Sequence, residues 1–119
     1  MGDLSLNFTF EEMSCPCCGK IAIDPKFLEK LELARELAGI SFPINSGFRC
    51  PAHNKAVGSS SGNHVSGRAV DIKCTMGHER RLILNGLVGA EFNRIGIGKT
   101  YIHADTMDEL GSPKSYWVY

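Results

Sequence analysis

Phe27, Leu28, Leu31, Ala34 and Leu37 recur at three- and four-residue steps, the period of one helix face. Asp24 stands in the N-cap position, Pro25 in the first helical position and Gly39 just past the last apolar residue. Together they predict a helix between Asp24 and Gly39 with its apolar side in the core. A shorter helix or turn is signalled by Thr9-Phe10-Glu11-Glu12, which has the form of a capping box and ends at the cysteine cluster that follows. Elsewhere the period falls to two. Arg68 to Lys73 (RAVDIK), Arg94 to Gly98 (RIGIG) and Tyr101 to Asp105 (YIHAD) read as strands, with Lys99-Thr100 a tight connection between antiparallel neighbours. Ile40 to Asn45 reads as a short strand whose Pro43 calls for an edge or strand-start position. His78 to Val88, carrying Leu82, Ile83 and Leu87, reads as a second helix. From Arg49 to Ser66 large apolar residues are scarce and Ser, Gly, Asn and Pro frequent, the pattern of a long surface loop, and loops of that length in small domains are usually functional. The aromatic tail SPKSYWVY is expected to dock back on the body. The expectation is one α+β domain over residues 1–119, a small antiparallel sheet with flanking helices.

Composition narrows the function classes. With 43% hydrophobic and 22% charged residues the 119-residue chain has the balance of one globular domain. Thirteen basic residues offset thirteen acidic ones, so there is no bulk field to hold nucleic acid or an anionic membrane leaflet. No apolar run approaches a membrane span, and MGDLSLNFTF has neither the basic nor the apolar region of a signal peptide. The expectation is a monomer without nucleic-acid or membrane partners, synthesised in the cytoplasm without its own export signal.

Five cysteines are an odd number for a disulfide framework. Cys15 and Cys18 have the C-x-x-C spacing that brings two thiolates to one metal or forms a redox pair. A structural zinc site needs four ligands, and no second C-x-x-C follows; Cys50 and Cys74 would have to come from afar. Cys15, Cys18 and Cys50 are therefore read first as small buried hydrophobes, and second as ligands of a structural metal.

The polar chemistry concentrates in the second half. Asp71 lies between Val70 and Ile72 in a strand that is otherwise apolar, where an unpaired carboxylate is costly, so a metal or an Arg must meet it. His64 lies seven positions earlier, at the end of the loop. In YIHAD the strand period puts Tyr101, His103 and Asp105 on one face and Ile102 and Ala104 on the other. Taken singly, each has a duller reading as a solvated loop His, a cap or an Arg partner. Two His and one Asp converging on one cavity would suit zinc and leave a fourth position for water. His53 and His78 receive no role beyond a rim and a first-turn position.

Ser46-Gly47-Phe48-Arg49, then Asn54 and Gly58, then His64 with Gly67-Arg68-Ala69-Val70-Asp71, and finally Ile102-His103-Ala104-Asp105 resemble the zinc D-alanyl-D-alanine carboxypeptidase family, the M15 peptidases. That family shares its fold with the amino-terminal signalling domain of hedgehog proteins, and its small members include bacteriophage endolysins and other peptidoglycan peptidases. The resemblance runs over about residues 8 to 106. It implies zinc held by His64, Asp71 and His103, with Arg49 gripping a substrate carboxylate, and Ser46 and Asn54 beside it in the substrate-binding set. It implies hydrolysis of peptidoglycan stem peptides or cross-links by metal-activated water, either as a carboxypeptidase or as an endolysin-type endopeptidase. A phage-encoded protein released to the wall or carried on the virion fits that implication. Where well-known members carry an acidic general base, three positions before the last His, this chain has Thr100. Asp105 is the nearest acidic candidate, as the base that completes the catalytic set with Arg49 or as a group that orients His103. Gly62 replaces a Ser of the family, with Ser61 as the expected substitute. The rival implication is a zinc-containing module of the same fold that binds cell wall without cleaving it. A zinc-ribbon nucleic-acid module built on Cys15 and Cys18 is opposed by the neutral charge.

Overall fold

Local signals place the first long element, α2 (Pro25–Ala38), where Asp24 accepts from the Phe27 amide at 3.0 Å and Gly39 closes the helix with φ of 72°. Its buried face is Phe27, Leu31, Ala34 and Ala38; Leu37 points outward, since the crossing with the next long helix runs along Ala34 and Ala38 instead. The computed structural model describes residues 2, 4–58 and 62–119. Before α2, the predicted capping box is formed at α1 (Phe10–Met13), with both Thr9 and Glu12 arms in place. After it come β1 (Ile44–Ser46), α3 (Pro51–Ala56), β2 (Ala69–Lys73), α4 (Gly77–Gly89), β3 (Arg94–Ile97), β4 (Tyr101–Asp105), a 3-10 turn (Met107–Leu110) and β5 (Ser115–Val118).

The strands form one sheet in the order β1-β2-β4-β3-β5. The class is α+β. All neighbours are antiparallel except β3 and β5, which run parallel, so the sheet is mixed where a purely antiparallel one was expected. The aromatic tail does dock back, as the edge strand β5. The stretch read as loop from Arg49 to Ser66 contains α3, a helix too short and too exposed to show an apolar period. Its start signal is Pro51 at the first helical position with Cys50 as cap. Ser61 lies outside the described residues. Among the described residues no helix is long and apolar enough to cross a membrane.

The period-two pattern divides the sheet into two chemically opposite faces. Val70, Ile72, Ile95, Ile102 and Ala104 point into a core shared with Phe27 and Leu31 of α2 and with Ile83 and Leu87 of α4. Asp71, His103 and Asp105 point the other way. Asp71 and His103 are directly opposed across β2 and β4, and Arg94 is opposed to Asp105 across β3 and β4. A side chain on that second face meets its cross-strand neighbour at close range, which is how the sheet assembles a site from distant parts of the chain. His64 reaches the same face from the 62–67 turn. That turn closes through Gly67, whose φ of 75° and carbonyl bond from the Asp24 amide (2.9 Å) seat it against residues 22–24. A Cβ there would lie 1.8 Å from the Ala22 carbonyl oxygen, so glycine is required at that position.

Candidate metal centre and substrate cleft

His64, Asp71 and His103 each offer one ligand atom, and these atoms all lie within 4.8 Å of one another. Asp71 Oδ1 is 3.4 Å from His64 Nε2 and 2.9 Å from His103 Nδ1. Ligands bound tetrahedrally at about 2.0–2.1 Å stand about 3.3 Å apart, so the spacing matches a zinc ion with little rearrangement. The remaining ring nitrogens set the tautomers. His64 Nδ1 donates to the Gly47 carbonyl at 2.8 Å, which leaves Nε2 as the lone-pair nitrogen. His103 Nε2 donates to Asp105 Oδ2 at 2.6 Å, which leaves Nδ1 for a metal. Both imidazoles are thus aimed by an acceptor behind them, the arrangement that fixes metal-ligating histidines. The donor set fits zinc.

Burial would raise the Asp71 carboxyl, but hydrogen bonds from His103 and His64 outweigh it and hold the group well below the usual carboxylate range. Burial would likewise lower the His103 imidazole, and its contacts with Asp105 and Asp71 reverse the sign and raise it. The expectation that a metal or an Arg must meet Asp71 is met by Arg49, whose Nη2 stands 3.5 Å from Asp71 Oδ2.

Asp105 is fully buried behind His103, on the side of the ring opposite to Asp71. Its Oδ1 accepts from Arg94 Nε at 2.7 Å and from the Met107 amide at 3.0 Å, and Asn63 Nδ2 reaches Oδ2 at 3.3 Å. Burial would raise its carboxyl, yet His103, the Met107 amide and Arg94 keep it low. A carboxylate with both oxygens engaged and no exposure is placed to orient His103, and it does not face the cleft where a hydrolytic water would stand. Of the two roles expected for Asp105, its burial and its bonds favour orienting His103 over acting as general base. Thr100 is exposed in the β3–β4 turn.

Arg49 is held as a fork. Nε donates to Ser46 Oγ at 3.0 Å and Nη1 to Asn54 Oδ1 at 3.4 Å. Ser46 and Asn54, expected in the substrate-binding set, brace the guanidinium, and Asn54 is buried. These contacts and Asp71 occupy three of the five N–H donors, leaving the others for an incoming group. The backbone ties the two ends of the site together, for the Arg49 amide donates to the His64 carbonyl at 3.3 Å.

A cleft of about 550 Å³ opens over the three ligands, lined also by Arg49, Asn63, Tyr101 and Tyr119. Its aromatic wall is Tyr101 of β4 and Tyr119 of the tail, with Trp117 behind them against His103. Trp117 packs on His103 with ring centroids 5.6 Å apart, Arg94 lies 5.0 Å over the Trp117 ring, and Tyr119 stacks against Tyr101 at 5.3 Å. These rings fit because β3 carries Gly96 opposite His103; a Cβ there would stand 2.7 Å from both Trp117 and Tyr119. Gly96→Val is expected to push the indole off His103 at an overpacking cost of about 1–3 kcal/mol. Trp117 is the sole tryptophan, so its emission reports the shift directly, and an unchanged spectrum would contradict this packing.

The cysteines divide differently from expectation. Cys15, Cys17, Cys18 and Cys50 converge with their sulfurs within 4.8 Å of one another, whereas Cys74 lies apart in the core. Cys17 and Cys18 are exposed and Cys50 partly so, which removes the buried-hydrophobe reading for all but Cys15 and Cys74. The fourth member that sequence spacing lacked is Cys17, inside the C-x-x-C itself. Burial would raise the Cys15 thiol, but amides of Cys50 and Cys17 aimed at its sulfur bring it down to about 6. Cys17 is pushed up to about 12, first by its contact with Cys50 and then by Cys15. His53 lies on the rim, in a second cleft that adjoins the first at Arg49 and Val57, and His78 is exposed.

Comparison with curated proteins and with solved structures gave no match. A family model described as Peptidase M15 matches residues 6–105. The match takes in Arg49, the three converging ligands, Tyr101 and Asp105, and stops short of Trp117 and Tyr119 in the tail. Its extent, over most of the chain, shows that this protein belongs to the peptidase M15 family, whose peptidases are of the zinc-dependent type.

Proposed function

We propose that the protein hydrolyses peptidoglycan peptides, cutting a stem peptide or cross-link beside a free carboxylate that Arg49 grips. The observation that carries this reading is the braced guanidinium on the rim of a cleft whose floor is the His64–Asp71–His103 set. Zinc, when bound by those three residues, supplies Lewis acidity towards the scissile carbonyl and lowers the pKa of a coordinated water towards about 7. His64 and His103 keep fixed tautomers through Gly47 and Asp105, and Asp71 contributes the negative charge that holds a divalent ion. Arg49 pairs bidentately with a carboxylate and sets the peptide in register, a geometry that a Lys cannot reproduce. Tyr101 and Tyr119 add an apolar wall with hydroxyl edges along the same cleft.

Digestion of purified peptidoglycan, followed by mass spectrometry of the fragments, tests this reading. Release of peptide fragments that stops with a chelator and returns with zinc is expected. Intact peptidoglycan in the presence of bound zinc would favour the non-catalytic wall-binding module, a reading that has its own observation: among the described residues no carboxylate other than Asp71 lines the cleft.

Arg49→Lys is expected to raise KM about tenfold or more for substrates with a free carboxylate, the scale of a charge-assisted hydrogen bond, while kcat changes little. Amidated substrates should not feel the change. An equal loss on both would remove carboxylate recognition from Arg49.

A further inference from the structure

The four-sulfur cluster at the other end of the Arg49 segment has no part in the hydrolytic site. Cys15 and Cys18 stand in a tight turn closed by bonds from the Cys15 amide to the Lys20 carbonyl (2.7 Å) and from the Gly19 amide to the Cys15 carbonyl (2.8 Å). Cys50 comes from 32 residues beyond Cys18, as the N-cap of α3. Cys17 Sγ lies 3.4 Å from Cys15 Sγ and 3.2 Å from Cys50 Sγ. Sulfurs bound tetrahedrally to zinc at about 2.3 Å stand about 3.8 Å apart, within the span that the four sulfurs share here. Exposed thiols have no apolar reason to gather, and a cation gives them one.

We propose that Cys15, Cys17, Cys18 and Cys50 bind a second, structural zinc ion that fastens the 15–20 turn to the start of α3. On binding, those of the four sulfurs that are still protonated release their protons to solvent, and four Zn–S bonds replace the bonds from zinc to its waters; nothing is oxidised or reduced. The ion would fix Cys50, and with it the neighbouring Arg49 and the helix that carries Asn54. This last consequence rests on the peptidase reading, but the metal site does not.

The test is metal analysis and cobalt substitution of the whole chain under reducing conditions. With His64→Ala removing the first centre, one equivalent of zinc should remain. Cobalt in that variant should show intense sulfur-to-cobalt charge transfer and strong visible bands, which zinc then displaces. Cys17→Ser and Cys18→Ser, in the otherwise unchanged chain, should each lose one equivalent of zinc and the charge-transfer bands. The wild-type spectrum decides the matter even if a variant fails to fold, because nitrogen and oxygen ligands give no sulfur charge transfer. Absence of those bands in the reduced wild type overturns the proposal. So does recovery of the chain with Cys17 and Cys50 joined and two hydrogens lost, which would make the cluster a disulfide. Failure of peptide hydrolysis leaves these readouts unchanged, so the two readings fall separately.

Discussion

Asp71→Ala is expected to empty the His64–His103 centre of metal and to lower peptide hydrolysis by on the order of a thousandfold, the scale of losing a principal electrostatic contribution to the transition state. Asp71 is the only anionic member of the three-ligand set, and it sits between two imidazoles and the Arg49 guanidinium. Removing it leaves three groups that repel one another when protonated and cannot together hold a divalent cation. Asp71→Asn separates charge from shape, since it preserves the volume but not the negative charge, and is expected to lose metal nearly as completely. Elemental analysis beside a hydrolysis assay checks both substitutions. Metal content at the wild-type level in either variant would remove Asp71 from the ligand set.

Asp105→Asn is expected to weaken zinc binding at the same centre by about 10–100-fold, because it disturbs the acceptor that orients His103 from behind. The amide still fills the space between His103 and Arg94, yet it no longer offers two anionic oxygens to His103, Arg94 and the Met107 amide. Turnover should recover when zinc is supplied in excess. A general base would behave differently: its loss would leave zinc affinity intact, depress kcat at saturating metal and remove the acidic limb of the pH profile. Zinc titration and a pH profile on one preparation therefore distinguish orientation from proton transfer.

What could be read along the chain was the part that local rules govern. The Asp24-Pro25 start and Gly39 stop of α2 are short-range signals, and the structure reproduces them. The alternation in RAVDIK and YIHAD placed Asp71 apart from its apolar neighbours, and His103 and Asp105 on one face, because side-chain direction in a strand follows position alone. Convergence of His64 with them depended on a turn seated by Gly67, and came from the resemblance more than from the residues. The features that stayed hidden are tertiary. The helix α3 gains its cap from Cys50, whose sulfur accepts from the His53 amide at 3.4 Å, and it has little apolar face to betray it. The parallel pairing of β5 with β3 brings Trp117 to His103 through a register that no local pattern encodes. Arg94, at the start of a strand, gave no sign that it would close off Asp105. Cys17 looked like a bystander inside a C-x-x-C because the spacing rule counts only the outer pair.

The most direct measurement is an anomalous difference map from a crystal of the zinc-loaded protein, collected above the zinc edge. A peak is expected within about 2.0–2.1 Å of His64 Nε2, one Asp71 carboxylate oxygen and His103 Nδ1, with Asp105 still bonded to His103 Nε2. Density with no anomalous peak among those three side chains, or a peak bound through His103 Nε2 with Asp105 displaced, would contradict this ligand set.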